Sequence, residues 1–396
     1  MIAARRQAFN QAWTPARYER LMSILSAAAG VAPAFPVSET PCFFTRAFID
    51  DLARTGEQLI RQLVDNHAAS AAADQIVPER FTGPNEDPVP RFLQVDFGLV
   101  RTADGGIEPR LVELQAFASL YGLQRVLADA YRDAFALPSS LEIFLGGHNL
   151  ASYEAAVGAA ILGGHRPEEV VLMEIEPRWQ KTWPDFAITE YIWGVRAVDA
   201  SAVRREGRQL FYDRDGRLVP ISRIYNRVIP DELDRKGIEL PFDYRDELDV
   251  EWAGHPAWYF RISKFSIPWL RHPCVPRTWF LHQLDAVPED RENYLLKPLF
   301  SFAGGGIVFA PTDADLAAIP EEERMNYILQ ERLSFEPVIE TPHGPTQVEI
   351  RIMYVWTDEL RPVLPLLRLG RGRMMGVDHN KGLRWVGASA AMIDPE

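Results

Sequence analysis

The chain has 396 residues, more than one hydrophobic core usually organises, so two or three subdomains packed on one another are expected. With 47% apolar and 24% charged residues and a net charge of −13, it has the balance of a globular protein whose surface offers no broad attraction for nucleic acid or an anionic membrane. No stretch approaches the roughly 18 apolar residues that span a bilayer, and the N-terminal MIAARRQAFNQAWTPARYERL lacks the apolar run of a signal peptide. Cys42 and Cys274 are too few and too far apart for a disulfide framework or a metal site, so a cytoplasmic protein with two buried thiols is expected.

Residues 1–80 read as amphipathic helices, notably FIDDLARTGEQLIRQLVDNHAA (48–69), interrupted by the proline-containing 33–41. At 91–117 the period changes. RFLQVDFGLV and RLVELQAF flank Asp104-Gly105-Gly106 and predict a β-hairpin. If Asp104-Gly105 is a two-residue turn, partner numbers sum to 209, so Asp96 faces Glu113 with Gln115 two residues along on the same face. Opposed carboxylates repel unless a cation separates them, and a divalent metal with oxygen ligands is one answer. A solvated polar face, or another register imposed by Pro109, is the other.

A helix follows near 119–135. Region 145–250 alternates: helix 151–163, strand 170–175, helix 184–193, strand 195–199, a hairpin over Tyr212–Leu218 turning at Asp215-Gly216, and strand 221–229. This order predicts a small, mostly parallel sheet. The aromatic residues Trp179, Trp183, Tyr191 and Trp193 read as core filling. From 255 a helix precedes strands at 294–299, 306–310, 327–333, 348–356 and 363–370, with no repeat or long linker.

Only five of the 42 basic residues are lysine, a split that a GC-rich coding bias explains for the most part. A lysine kept against that bias marks a place where a compact ammonium is needed. Lys297 stands on YLLKPL just before Gly304-Gly305-Gly306, where glycine amides and an ammonium can approach phosphate oxygens together, although three glycines also make an ordinary turn. YILQERL ends in Gln330-Glu331. VEIRIMYVW puts Glu349 and Arg351 on one face, either as a solvated pair worth well under ~1 kcal/mol or with Arg351 as a clamp for phosphate or carboxylate. The segment RLGRGRMMGVDHNKGLRWVGAS (368–389) offers Asp378, His379 and Asn380. No nucleophile triad and no zinc spacing emerge from the scattered histidines.

In order, Lys264 of RISKFSIPWL, Lys297 with its glycine loop, Gln330-Glu331, Arg351 and the HNKG segment resemble the nucleotide-binding half of the ATP-grasp ligases. The acidic strand pair of such ligases stands early here, as Asp96 and Glu113-Leu114-Gln115. That order is similar to the circularly permuted type of glutathionylspermidine synthetase. The resemblance spans roughly 90–396 and implies an α/β (α+β) fold. A helical N-terminal segment (1–90) would precede a hairpin and helix lending metal-binding strands (91–144). An α/β substrate domain (145–250), carrying IEPRW and IYNRVIPDEL, would lead into the nucleotide-binding subdomains (251–396).

The resemblance further implies ATP held by Lys264, Lys297, Ser301, Gly304, Gly305 and Gly306, with adenine near Gln330, Glu331 and Leu333. It implies Mg²⁺ on Asp96, Glu113 and Gln115, catalytic charge stabilisation by Arg351 with Lys297, and substrate contacts from Arg223, Arg227 and Asn380. The implied reaction joins a small-molecule carboxylate to an amine through an acyl phosphate and forms ADP. Two departures stand out: Gln115 replaces the pattern's Asn, and Gln94 stands where relatives carry Arg two residues before the Asp. Phosphoryl transfer to a small acceptor and a non-catalytic nucleotide-binding subunit are the alternatives on the same residues. Neither the substrates nor the oligomeric state can be read from the chain.

Overall fold

The computed structural model describes residues 2–300, 305–372, 375 and 382–395; Ser301, Gly304 and Asn380 of the expected site lie outside them. A six-stranded sheet built mainly from two hairpins forms the middle of the molecule. The first hairpin pairs Phe92–Arg101 with Ile107–Gln115, and the second pairs Gln347–Trp356 with Leu360–Gly370. Phe92–Arg101 and Gln347–Trp356 lie antiparallel side by side, Gly387–Asp394 joins the outer strand of the second hairpin, and Cys42–Thr45 closes that edge in parallel. Gly387–Asp394 escapes sequence prediction because its Ala- and Ser-rich run has weak strand propensity. Burial of Ala390, Ala391, Met392 and Ile393 fixes its place instead.

The first hairpin turns differently from the expectation yet reaches the same facing pair. Residues 102–106 close it, with Thr102 N–H donating to Gly106 O at 3.0 Å, so partner numbers near the turn sum to 208. Val112 is an extra residue on its strand, a bulge that shifts the register by one. Beyond it Asp96 faces Glu113 and Gln94 faces Gln115.

Alternation along these strands gives the sheet one apolar face. Val95, Phe97, Leu111, Leu114, Ile350, Ile352 and Leu367 pack with Ile49, Leu52, Leu59, Ile60 and Leu63 of the helix Arg46–Val64, which recur at helical spacing. Tyr354 O–H donates to Ala53 O at 2.7 Å, and Gly56 leaves the hydroxyl room, since a Cβ there would meet it at 2.2 Å. Helices Ala3–Ala12 and Pro15–Ala29 contribute Phe9, Leu21 and Leu25 to a second cluster with helix Tyr121–Phe135, Ala390 and Met392. The N-terminal helices therefore complete the core around the large sheet.

The expected parallel sheet is present, with Glu251–Ala253, Arg223–Asn226, Val170–Glu174 and Arg196–Asp199 side by side and all parallel. Asp215-Gly216 turns the hairpin Gln209–Arg214/Arg217–Ile221 with both φ positive, at 57° and 81°. Two expectations fail here. Residues 221–229 are not one strand, because Ile221 ends the antiparallel hairpin, Ser222 N–H turns to Glu169 O, and Arg223 starts a strand of the parallel sheet. Trp193 is buried, but Trp179 on a one-turn helix and Tyr191 on an outward helix face are 87% and 84% exposed.

A small antiparallel sheet takes Thr278–Phe280, Tyr327–Glu331, Tyr294–Pro298 and Val308–Phe309 in that order. The chain leaving Glu331 returns to the large sheet, where Glu336 N–H donates to Leu99 O at 2.8 Å and the Phe335 ring lies on Gly98. Cys42 and Cys274 are buried free thiols. Among the described residues no helix is long and apolar enough to cross a membrane.

Candidate functional site

Opposite its apolar face, the large sheet carries a strip of polar side chains at the junction of the two hairpins. Cross-strand register sets Arg351 beside Asp96, Asp96 beside Glu113, Gln94 beside Gln115, and Glu349 beside Arg368. Arg351 grips Asp96 with two parallel bonds, Nε to Oδ1 and Nη2 to Oδ2, both 2.6 Å. Its Nη1 donates to Gln94 Oε1 at 2.6 Å, and the same oxygen accepts from Gln115 Nε2 at 2.8 Å. Arg368 Nη2 donates to Asp96 Oδ2 at 3.3 Å, and its Nη1 lies 3.0 Å from Glu349 Oε1. Burial opposes the Arg351 charge, but Asp96 more than offsets it and holds the guanidinium pKa above its usual value. Burial likewise pushes the Glu349 carboxyl up against the pull of Arg368. Glu113 stays looser, 3.8 Å from Arg351 Nη2 with a side chain 33% exposed, whereas that of Asp96 is 1% exposed.

Two lysines converge on this strip from separate elements. Residues 262–274 run along the open edge of the first hairpin, tied there by Ala116 N–H to Ile262 O at 3.1 Å and Leu111 N–H to Cys274 O at 2.8 Å. These bonds bracket Glu113. Ser263 caps the turn Lys264–Trp269, accepting from Phe265 N–H, and so sets Lys264 at its first position. Lys297 sits on Tyr294–Pro298, diagonal to Gln330 on the neighbouring strand, and its Nζ donates to Gln330 Oε1. Both lysines are 8% exposed. Burial lowers both ammonium pKa values; that of Lys297 falls to about 8, with Glu113 and Glu349 opposing and Lys264 reinforcing. Gln330 Nε2 is buried without a partner among the described residues. Glu331 accepts from Arg277 N–H at 3.1 Å, Leu333 is half-buried just past the strand, and Gly305-Gly306 turn toward Val308 with Gly306 at φ 72°.

A third group stands at the carboxyl ends of the parallel strands, where open α/β sheets present ligand sites. Arg227, next after Asn226, is 3% exposed, with its guanidinium 4.8 Å over Phe117 and 5.4 Å from the Phe186 ring. Its Nε and Nη1 are buried with no hydrogen-bond partner among the described residues. Burial pushes Glu174 up to about 8 despite Arg227, and burial raises Asp185, whose oxygens accept from Leu123 and Leu120 N–H at 2.9 and 3.1 Å. Phe117 is two residues past Gln115, so this pocket adjoins the polar strip. Asp231 accepts from Tyr259 O–H at 3.2 Å, feels the charge of Lys264, and completes the rim.

Arg223 is a correction. Its Nη1 donates to Glu251 Oε2 on the neighbouring strand at 2.6 Å, while Nε donates to Ile161 O at 3.0 Å and Nη2 to Ala160 O at 3.2 Å, closing the end of helix Leu150–Leu162, so each nitrogen is engaged within the fold. It has no donor set turned to a substrate. Of the two sequence alternatives for Glu349 and Arg351, the solvated pair fails, because the face is buried and each takes a cross-strand partner instead. Roles for Arg368, Asp231 and Tyr259 carry no motif; Arg368 becomes visible only once its register opposite Glu349 is known.

No family model matches this chain, and no curated protein does. Its mixed α/β architecture is that of a glutathione synthetase-like α+β fold. Among solved structures it is similar to the apo form of a glutathione synthetase-like effector, GSS30, from Globodera pallida. The two share 11% identity at a TM-score of 0.56, over 95% of this chain and 97% of that one. At that identity the likeness is one of fold.

Proposed function

We propose that this protein is an ATP-dependent ligase that joins a small-molecule carboxylate to an amine. The observation that carries the reading is the meeting of Lys264 and Lys297, two of only five lysines, on buried ground beside Glu113. A buried ammonium is costly unless an anion comes to it. The likeness of fold to a glutathione synthetase-like effector supports the reading.

ATP fits the donors present, because the orphaned Gln330 Nε2 beside Lys297 is an open position for an acceptor on a nucleotide. In this reading Lys264, Lys297 and the amides of Gly305 and Gly306 hold phosphate oxygens, while Glu331 and Leu333 border the base. Bound ATP supplies the phosphoryl group that activates a carboxylate as an acyl phosphate. Arg227 holds the substrate carboxylate; Glu174, protonated near neutrality, does not compete for its charge. Phe117 and Phe186 keep water from that guanidinium. The two ammonium groups offset negative charge on the phosphates, an electrostatic contribution fixed in place before the reaction. Asp231, oriented by Tyr259, takes the proton that the incoming amine must lose.

Magnesium does not fit the ligands first expected. Both oxygens of Asp96 are filled by arginine N–H groups, and among the described residues no three His, Cys, Asp or Glu side chains are disposed to hold a metal ion. No step is assigned to it.

The Lys297→Met variant tests the site. Removing a buried charge should leave the melting temperature unchanged or raised while nucleotide affinity drops at least about tenfold, a loss of roughly 1.4 kcal/mol read by calorimetry. Unchanged affinity in the folded variant contradicts the reading.

A further inference from the structure

A metal site made of carboxylates is an excess of negative charge waiting for a cation, and its like charges repel until the ion arrives. The strip around Asp96 is built the other way. Arg351, Arg368, Lys264 and Lys297 face Asp96, Glu113 and Glu349, and even with Asp231 counted at the rim there is no negative excess for a dication to neutralise. Asp96 is also spent as a ligand. It accepts two buried bonds of 2.6 Å from Arg351 and a part-buried one of 3.3 Å from Arg368. A magnesium ion demands near-octahedral oxygens at about 2.0–2.1 Å, a geometry those oxygens cannot offer while both point at guanidinium hydrogens. Gln94 locks the arrangement: its carbonyl oxygen receives Arg351 and the Gln115 amide nitrogen together.

We infer that the Arg351 guanidinium holds the place of a divalent cation on Asp96, so that the pocket takes a nucleoside polyphosphate on nitrogen donors with no metal bridge to Asp96. The inference takes its ligand from the nucleotide reading above; the Arg351–Asp96 pair stands apart from that reading. The cationic groups that would face phosphate oxygens are Lys264, Lys297 and the partly exposed Arg368. A planar guanidinium with five N–H groups can serve a carboxylate and a phosphate at once, which suits it to this place.

Two measurements on the full-length protein decide it. The first titrates ADP calorimetrically in EDTA and again in excess Mg²⁺, and the expected affinities agree within about threefold. A loss of about tenfold or more in EDTA overturns the inference and leaves the nucleotide reading standing, whereas no binding in either buffer overturns both. The second follows apo melting in EDTA. Asp96→Asn and Arg351→Met should each lower the melting temperature by several degrees, with the double variant no worse than the weaker single one, as for partners in one pair. An Asp96→Asn variant that melts at the wild-type temperature or above, as relief of carboxylate repulsion would give, overturns the pairing. If either variant fails to fold, the wild-type titration in the two buffers still separates the outcomes.

Discussion

At the scale of single residues, the scarce lysines were the most legible part of the site. Lys297 and Lys264 stood out against an arginine-rich chain, and both are buried beside Glu113. The burial that lowers the Lys297 pKa to about 8 fixes two pH dependences of opposite sign. An anionic ligand needs the ammonium, so on the proposed nucleotide reading affinity should fall as pH rises above about 8, by at most tenfold per unit for one proton. Apo stability runs the other way. Between about 8 and the ordinary lysine value the unfolded chain binds a proton that the folded chain does not, so stability rises with pH in that window. Calorimetric titrations across pH 7 to 9.5 check the first effect, and Lys297→Arg should flatten it by keeping the charge. A profile equally steep in that variant assigns the titration elsewhere. Arg351 was legible as important but not in its role, since its partner Asp96 lies on a distant segment that only the assembled sheet brings alongside. Arg227 was legible only together with Arg223, as a residue of the expected strand 221–229; that the strand ends at Asn226, and that Arg227 Nε and Nη1 lack a partner among the described residues, left no mark in the sequence.

At the scale of elements, strand and helix positions followed the period of the sequence, while register depended on single residues that leave no pattern. Both hairpins of the large sheet carry one extra residue, Val112 in the first and Val363 in the second. In the first, a longer turn and a bulge cancel, so the expected facing pair is found by a different route. In the second, the bulge brings Glu349 opposite Arg368, which counting from the turn misses by one. Gly98 is a further such residue, because it accepts the Phe335 ring of the segment leading from the small sheet. A Cβ at Gly98 would meet ring carbons at 2.3 Å. Gly98→Ala should therefore cost about 1–3 kcal/mol of stability as an overpacked contact. It should also weaken nucleotide affinity, because that segment holds Gln330 and Lys297 against the large sheet. Adding Phe335→Leu should recover part of both losses in melting and titration experiments. A Gly98→Ala variant that melts like wild type would show that the segment is not seated there.

At the scale of the whole molecule, three sheets meet at one place, and each contributes a different kind of group. The large sheet brings paired carboxylates and arginines, the small sheet and the edge segment bring lysines, and the parallel sheet brings Arg227, whose Nε and Nη1 have no hydrogen-bond partner among the described residues. Of the N-terminal helices, silent in the sequence as to purpose, Arg46–Val64 backs the large sheet behind this site, whereas Ala3–Ala12 and Pro15–Ala29 pack with Phe43, Ala390 and Met392 toward the far edge of the sheet. The order of motifs resembles a permuted nucleotide site because the acidic strands precede the lysines in the chain; the antiparallel pairing of Phe92–Arg101 with Gln347–Trp356 sets Asp96 beside Arg351. The reaction itself is tested most directly by ADP release across mixtures of amino acids, short peptides and polyamines, with mass spectrometry of the products. A ligase of this kind should release ADP only when a carboxylate and an amine are both present, matched mole for mole by an amide, and should lose that release in Lys297→Met. A phosphorylated acceptor as the stable product, or ADP release that survives Lys297→Met, would contradict the ligase reading.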